Sequence, residues 1–247
     1  MSSLRQAVRY LTIVPLPGRR HTGVGDLGRA AAWFPVVGLG IGVVLVVFEW
    51  LVSRAFPPLL AALLTVTAWK LITGGLHLDG LADCLDGLGG RDPEHRLAIM
   101  RDSRIGAMGA IGLILFLLLE ITALAELPAA MRAHVLLAAP VIARAMPALL
   151  GCLVAPARRE GLGAAFQGSL PRSAPPLALA AALAVAGAAL GRAGVAALAV
   201  ASVVVLLLGR FFARRLGGTT GDVFGASIEA AELAALLTVA AWVHVAP

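Results

Sequence analysis

An all-α, polytopic integral membrane bundle of about seven transmembrane helices is the fold this sequence predicts, and three observations predict it. Hydrophobic residues make up 60% of the 247-residue chain and charged residues only 14%, where an average soluble domain carries about 25% charged residues. Several runs approach the ~20 apolar residues that an α-helix needs to cross a ~30 Å hydrocarbon core. Lysine and arginine rise and fall alternately from one intervening loop to the next.

The runs fall at residues 29 to 52, 56 to 73, 106 to 125, 133 to 153, 175 to 191, 193 to 209 and 227 to 246. The fifth and sixth form a low-complexity Ala/Val/Leu stretch divided only by Gly191 and Arg192, which is simplest as one hydrophobic hairpin. Residues 1 to 28 contain Arg5, Arg9, Arg19 and Arg20 but no apolar core followed by a small-residue cleavage site. No removable signal peptide is expected, and the first span serves as its own insertion signal. Cys84 and Cys152 have neither a disulfide framework nor a metal-site spacing and are expected to be packing residues.

Counted through the successive loops, Lys and Arg number 5, 1, 4, 1, 3, 1, 3 and 0, with Lys70 and Arg144 left inside spans. In a membrane protein such alternation records topology. It places residues 1 to 29, 74 to 105, 154 to 174 and 210 to 226 in the cytoplasm, with the N-terminus inside and the C-terminus outside. The net charge of +6 is thereby accounted for without a nucleic-acid partner. The expected organisation is one transmembrane domain over residues 1 to 247, with catalytic loops at 74 to 105 and 210 to 226. Inside the spans, Glu120 and Arg144 each need a partner or a wet cavity, since a charge at that depth costs ~2.5 to 3.5 kcal/mol on insertion scales. Mutual pairing would meet both needs.

Six of the 14 acidic residues sit between positions 74 and 105. Asp79, Asp83 and Asp86, in "HLDGLADCLDG", are spaced i, i+4, i+7 and lie within about 60° of one another on a helical wheel. Three carboxylates on one face repel unless a cation neutralises them. Mg²⁺ is the natural counter-charge, since it takes one or two protein carboxylates together with substrate phosphates. His77 points to the other side of a continuous helix and is a base or substrate contact only if the helix begins near Asp79. In "RDSRIG", Arg101 and Arg104 suit phosphate oxygens as bidentate forks. Asp102 joins this catalytic set, and Ser103 with the backbone N–H groups before the third span marks a candidate phosphate site. In "GGTTGDVFGASIE", Thr219, Thr220 and Asp222 form a candidate ligand cradle without Walker spacing. Asp222 has two open roles, completing the metal site or holding a ribose.

The motifs "GGLHLDGLADCLDGLGG" and "IMRDSRIGAMG", with "LTIVPLP", "REGLG" at 159 to 163 and "TTGDVFGASIE", together resemble the cobalamin synthase family, the adenosylcobinamide-GDP ribazoletransferases. The resemblance runs in order across most of the chain. It implies a polytopic, Mg²⁺-dependent enzyme of the bacterial cytoplasmic membrane. That enzyme joins α-ribazole, or its 5′-phosphate, to the corrinoid phosphate of adenosylcobinamide-GDP and releases GMP. Its substrates are small molecules, its surroundings are lipid, and its oligomeric state is left open. Two other classes fit less well. A CDP-alcohol phosphotransferase needs arginine where Asp83 stands and a second half-motif that the chain lacks. A cation-coupled secondary transporter places its carboxylates at the bilayer midplane, whereas this cluster adjoins a loop.

Overall fold

The computed structural model describes residues 3 to 17 and 24 to 245. Among them the chain is helical, with no strand beyond an isolated bridge between Pro156 and Thr219. After α1 (Ser3–Leu11) and a 3₁₀ segment (Val24–Trp33) come α2 (Phe34–Val52), α3 (Pro58–Ile72), α4 (Leu76–Gly87), α5 (Pro93–Ile99) and α6 (Ala107–Glu126). They are followed by α7 (Ala129–Leu153), α8 (Leu162–Gly168), α9 (Ala174–Leu190), α10 (Arg192–Leu216) and α11 (Gly221–Val245).

Each predicted apolar run corresponds to a helix, but not all of these helices can span alone. Five are long and apolar enough: Asp26–Val52, Ala107–Glu126, Ala129–Leu153, Arg192–Leu216 and Gly221–Val245. The second run ends early. α3 has 15 residues, and it qualifies only together with α4, from which it is bent by 91°. Gly74 and Gly75 make that bend with φ of +67° and +68°, a region glycine enters at no steric cost. α9 has 17 residues and pairs with α10 as the expected hairpin, turned at Gly191 with φ +57°.

α7 and α11 are the inner helices, with 78% and 72% of their apolar windows buried. α2 approaches α7 closely through Gly38 and Gly42. A Cβ on Gly38 would lie 2.5 Å from the Pro140 carbonyl oxygen, and one on Gly42 would lie 2.9 Å from that of Leu136. Small residues four apart serve helix contact in lipid, where packing replaces hydrophobic driving force. α6 turns Ile111, Ile114, Leu115 and Leu118 outward.

The arginine-rich segments gather at one end of this bundle. Gly28 donates to Ser169 Oγ at 2.9 Å, Arg96 to the Arg215 carbonyl at 3.2 Å, and Ala157 N–H to the Thr219 carbonyl at 2.8 Å. Arg132, from an arginine-poor loop, meets Glu49 at the other end at 3.6 Å. Arg19 and Arg20 lie outside the described residues.

The expected Glu120–Arg144 pair is replaced by a larger network. Lys70, near the end of α3, donates to Glu120 at 3.0 Å and, on α11, to Glu229 at 2.6 Å and Glu232 at 2.8 Å. Arg144 pairs with the other oxygen of Glu232. The pairing differs because Glu229 and Glu232, three residues apart on one face of α11, both reach Lys70. Of the two cysteines, Cys84 is buried as expected and Cys152 is exposed at the end of α7, so only the first packs the interior.

Candidate active site

α4 carries the aspartates, and glycines set where it lies. A Cβ at Gly80 would come 2.8 Å from the Asp222 carbonyl oxygen, and one at Gly225 3.3 Å from His77 Cα. α4 therefore crosses the start of α11 at near backbone contact. The condition set for His77 is not met: the helix begins at Leu76, so His77 lies within it, 2% exposed and turned against α11. Among the described residues neither ring nitrogen has a hydrogen-bond partner, and His77 does not line the cleft described below. A role for His77 as base or substrate contact is therefore set aside.

The aspartate trio divides. Both oxygens of Asp86 are engaged at the start of α6, accepting from Gly106 N–H and Gly109 N–H at 2.7 Å each. A carboxylate there satisfies orphan donors and favours the positive end of the helix. Gly109 leaves it no room for a Cβ. Two of the N–H groups before the third span are thereby held by Asp86, while Ser103 lines the cleft described next.

Asp79 and Asp83 instead line a cleft of about 480 Å³, with Arg101, Asp102, Ser103 and Arg104 across it. No protein hydrogen bond or ion pair engages either carboxylate among the described residues. The charges of Asp79, Asp222 and Asp86 all bear on Asp83. Two unengaged carboxylates a helical turn apart form a hard oxygen donor set of the kind a divalent cation takes. The three buried glutamates offer a contrast. Glu120, Glu229 and Glu232 bring oxygens within 4.8 Å of one another, but the Lys70 ammonium stands among them. That cluster is an ion-pair network.

Across the cleft, Arg104 is 87% exposed and already paired. Its Nε donates to Asp102 Oδ1 at 3.0 Å and its terminal nitrogen to Oδ2 at 2.6 Å. Those side-chain bonds, with the Arg104 backbone N–H, hold the Asp102 carboxyl down to about 2. Arg101 has no such partner among the described residues and lines a second cleft as well.

This second cleft, of about 260 Å³, shares Met100 and Arg101 with the first and is lined by Arg158, Glu160, Thr219, Thr220 and Asp222. The threonine hydroxyls face inward. Thr219 donates to the Ala155 carbonyl at 3.3 Å, while Thr220 donates to Asp222 at 3.2 Å and accepts from Val223 N–H at 3.3 Å. These bonds shape the loop. Beneath it run stacked rings from four elements, Tyr10 to Phe34 to Phe166 at 6.0 Å each, then Phe224 edge-on at 5.1 Å. Burial, and then the charge of Asp222, push the Tyr10 phenol up to about 12.

Three segments far apart in sequence thus meet where the sequence placed only separate motifs. Arg158 and Glu160 were missed. Arg158 counted only as a loop arginine, and "REGLG" drew notice for its resemblance alone, although its charges before two glycines were a usable signal.

Fold and site together define a class: a multi-pass membrane protein with paired charged clefts at one end of its bundle. A family model described as cobalamin-5-phosphate synthase matches residues 3–240. Three relatives are each named adenosylcobinamide-GDP ribazoletransferase. That of Geotalea daltonii is 39% identical over 95% of both chains. That of Pseudomonas syringae is 43% identical over 95% of this chain and 97% of its own, and that of Pseudomonas aeruginosa 40% over 97% and 98%. No solved structure matches. The chain belongs to the cobalamin-5-phosphate synthase family, and it is a transferase enzyme of cobalamin biosynthesis. Family membership removes the CDP-alcohol phosphotransferase and transporter alternatives.

Proposed function

We propose that this enzyme joins α-ribazole, or its 5′-phosphate, to adenosylcobinamide-GDP in a bacterial inner membrane, with release of GMP. The observation that carries the reading is the larger cleft, where unpaired Asp79 and Asp83 stand opposite Arg101. A ribose hydroxyl of the ribazole attacks the phosphorus that bears the cobinamide. The new P–O bond forms as the bond to the GMP oxygen breaks, and GMP leaves with the bonding pair. The hydroxyl proton passes to a carboxylate, since the cleft contains no imidazole.

Phosphoryl transfer of this kind depends on positioning and on neutralising oxygen charge. Asp79 and Asp83 would hold Mg²⁺, with Asp222 close by through the contact of Gly80 with its backbone. When bound, the ion supplies charge neutralisation at phosphate oxygens. Arg101 binds phosphate from the side shared by both clefts, and Arg104 carries a bound Asp102 at the rim. Asp86 positions α4 against α6. The meeting of the arginine-rich loops at the cleft end supports a cytoplasmic face for the site and an N-terminus inside.

Sealed membrane vesicles containing the protein test this. Inside-out vesicles given adenosylcobinamide-GDP, α-ribazole and Mg²⁺ should form a cobalamin and GMP, and right-side-out vesicles should not. Absence of product from both preparations would refute the reaction. Product from right-side-out vesicles alone would reverse the orientation.

A further inference from the structure

The smaller cleft adds Arg158 and Glu160 to the Arg101 that both clefts share. Burial, and then the charge of Arg101, lower the Arg158 pKa, while the charge of Asp222 raises it. Arg158 is anchored by one terminal nitrogen to the Leu97 carbonyl at 2.9 Å, and its buried Nε has no partner. Two guanidinium groups facing one space are most stable with an anion between them, and their forks match phosphate. Glu160 also lines the cleft, exposed and without a hydrogen bond or ion pair among the described residues, whereas Asp222 is held by Thr220. Bare backbone forms part of the wall: Gly161 has open space where a Cβ would stand, and Gly163 sits so close that its Cβ would be 3.0 Å from Gly221 N.

We propose that this cleft seats the leaving nucleotide, with Arg158 and Arg101 on its phosphate and Glu160 reading the guanine edge. The assignment rests on the transferase reading above. Guanine presents N1–H and the N2 amine side by side, two donors that one carboxylate accepts with both oxygens. The other nucleoside of the reaction, a benzimidazole riboside, has no such donor pair on its base. Adenine presents a donor beside an acceptor and leaves one carboxylate oxygen facing a lone pair. At about 260 Å³ against about 480 Å³ this is the smaller of the two clefts, which assigns the bulkier corrinoid to the side of the larger one.

The test uses the full chain in lipid nanodiscs, with equilibrium binding of GMP, AMP and α-ribazole in Mg²⁺, alongside turnover of adenosylcobinamide-GDP. The wild type should prefer GMP to AMP. In Glu160→Gln the amide offers one donor and one acceptor, the complement of adenine. GMP affinity should fall by about tenfold or more, the loss of one bidentate pair, and the preference should shift toward AMP. Affinity for α-ribazole should stay unchanged. Arg158→Ala should weaken GMP and AMP alike. A Glu160→Gln protein that turns over substrate with its GMP preference intact, or that loses α-ribazole affinity instead, overturns the assignment and leaves the reaction standing. A folded wild type that does not convert adenosylcobinamide-GDP overturns both.

Discussion

Lys70 and Arg101 lie at opposite extremes of how this protein treats a charge. Around Lys70 each charged group meets at least one of opposite sign: the ammonium meets three carboxylates, and Glu232 meets Arg144 as well. The network is almost wholly buried among apolar helices, where an unanswered charge would be costly. Around Arg101, Asp79 and Asp83 keep their oxygens free, and a cleft separates the two signs. The residue types are nearly the same in both places. What differs is whether the protein or a ligand completes them. An ion-paired network holds helices together, and unpaired carboxylates are chemically available.

The comparison breaks most readily at Asp83. Asp83→Asn should lower turnover by more than about a thousandfold, since a metal-held phosphate contributes several kcal/mol of transition-state stabilisation. Melting in detergent should be unchanged or slightly higher, because one of several repelling carboxylates is gone. Near-normal turnover at low Mg²⁺ would show that the open carboxylates are not the metal site.

Lys70→Met should do the reverse, acting on the fold first. It leaves three buried glutamates without their common cation, and breaking a buried ion pair from one side costs ~3 to 5 kcal/mol. The melting midpoint should drop sharply, and Lys70→Met combined with Glu229→Gln should recover part of the loss. Wild-type melting in Lys70→Met would mean that the network is not what fixes α3 against α6 and α11.

A smaller effect sharpens the boundary between the two regions. Asp86 belongs by sequence to the cleft and by contacts to the scaffold. Asp86→Asn keeps one acceptor at the start of α6 and should cost ~0.5 to 2 kcal/mol, the range for a lost helix cap. Its Mg²⁺ requirement, measured as the concentration for half-maximal turnover, should match the wild type. A strongly raised requirement, like that expected for Asp83→Asn, would return Asp86 to the metal.

Part of this was legible without coordinates. Each apolar run found its helix because helix formation in lipid depends on local composition and length, although only five of these helices are long enough to span alone and α3 qualifies only with α4. The arginine alternation anticipated which loops meet at one end. The spacing of Asp79 and Asp83 anticipated their common cleft, because two residues four apart on a helix share a face wherever the helix lies. "REGLG" and "TTGDVFGASIE" were visible as motifs, but nothing local said that they lie together.

The sequence by itself therefore determined the membrane class, the helices, the charged end of the bundle and the identity of the candidate groups, all properties carried by a few neighbouring residues. Only the tertiary structure decided their partners. It turned Asp86 toward α6, buried His77 between α4 and α11, linked Glu120 and Arg144 through Lys70 and Glu232, and brought Arg158 and Glu160 beside Arg101. The physical reason is that a polar group's role depends on what meets it in space. Those encounters join positions such as 70 and 229, or 86 and 109, whose separation along the chain leaves no periodic trace.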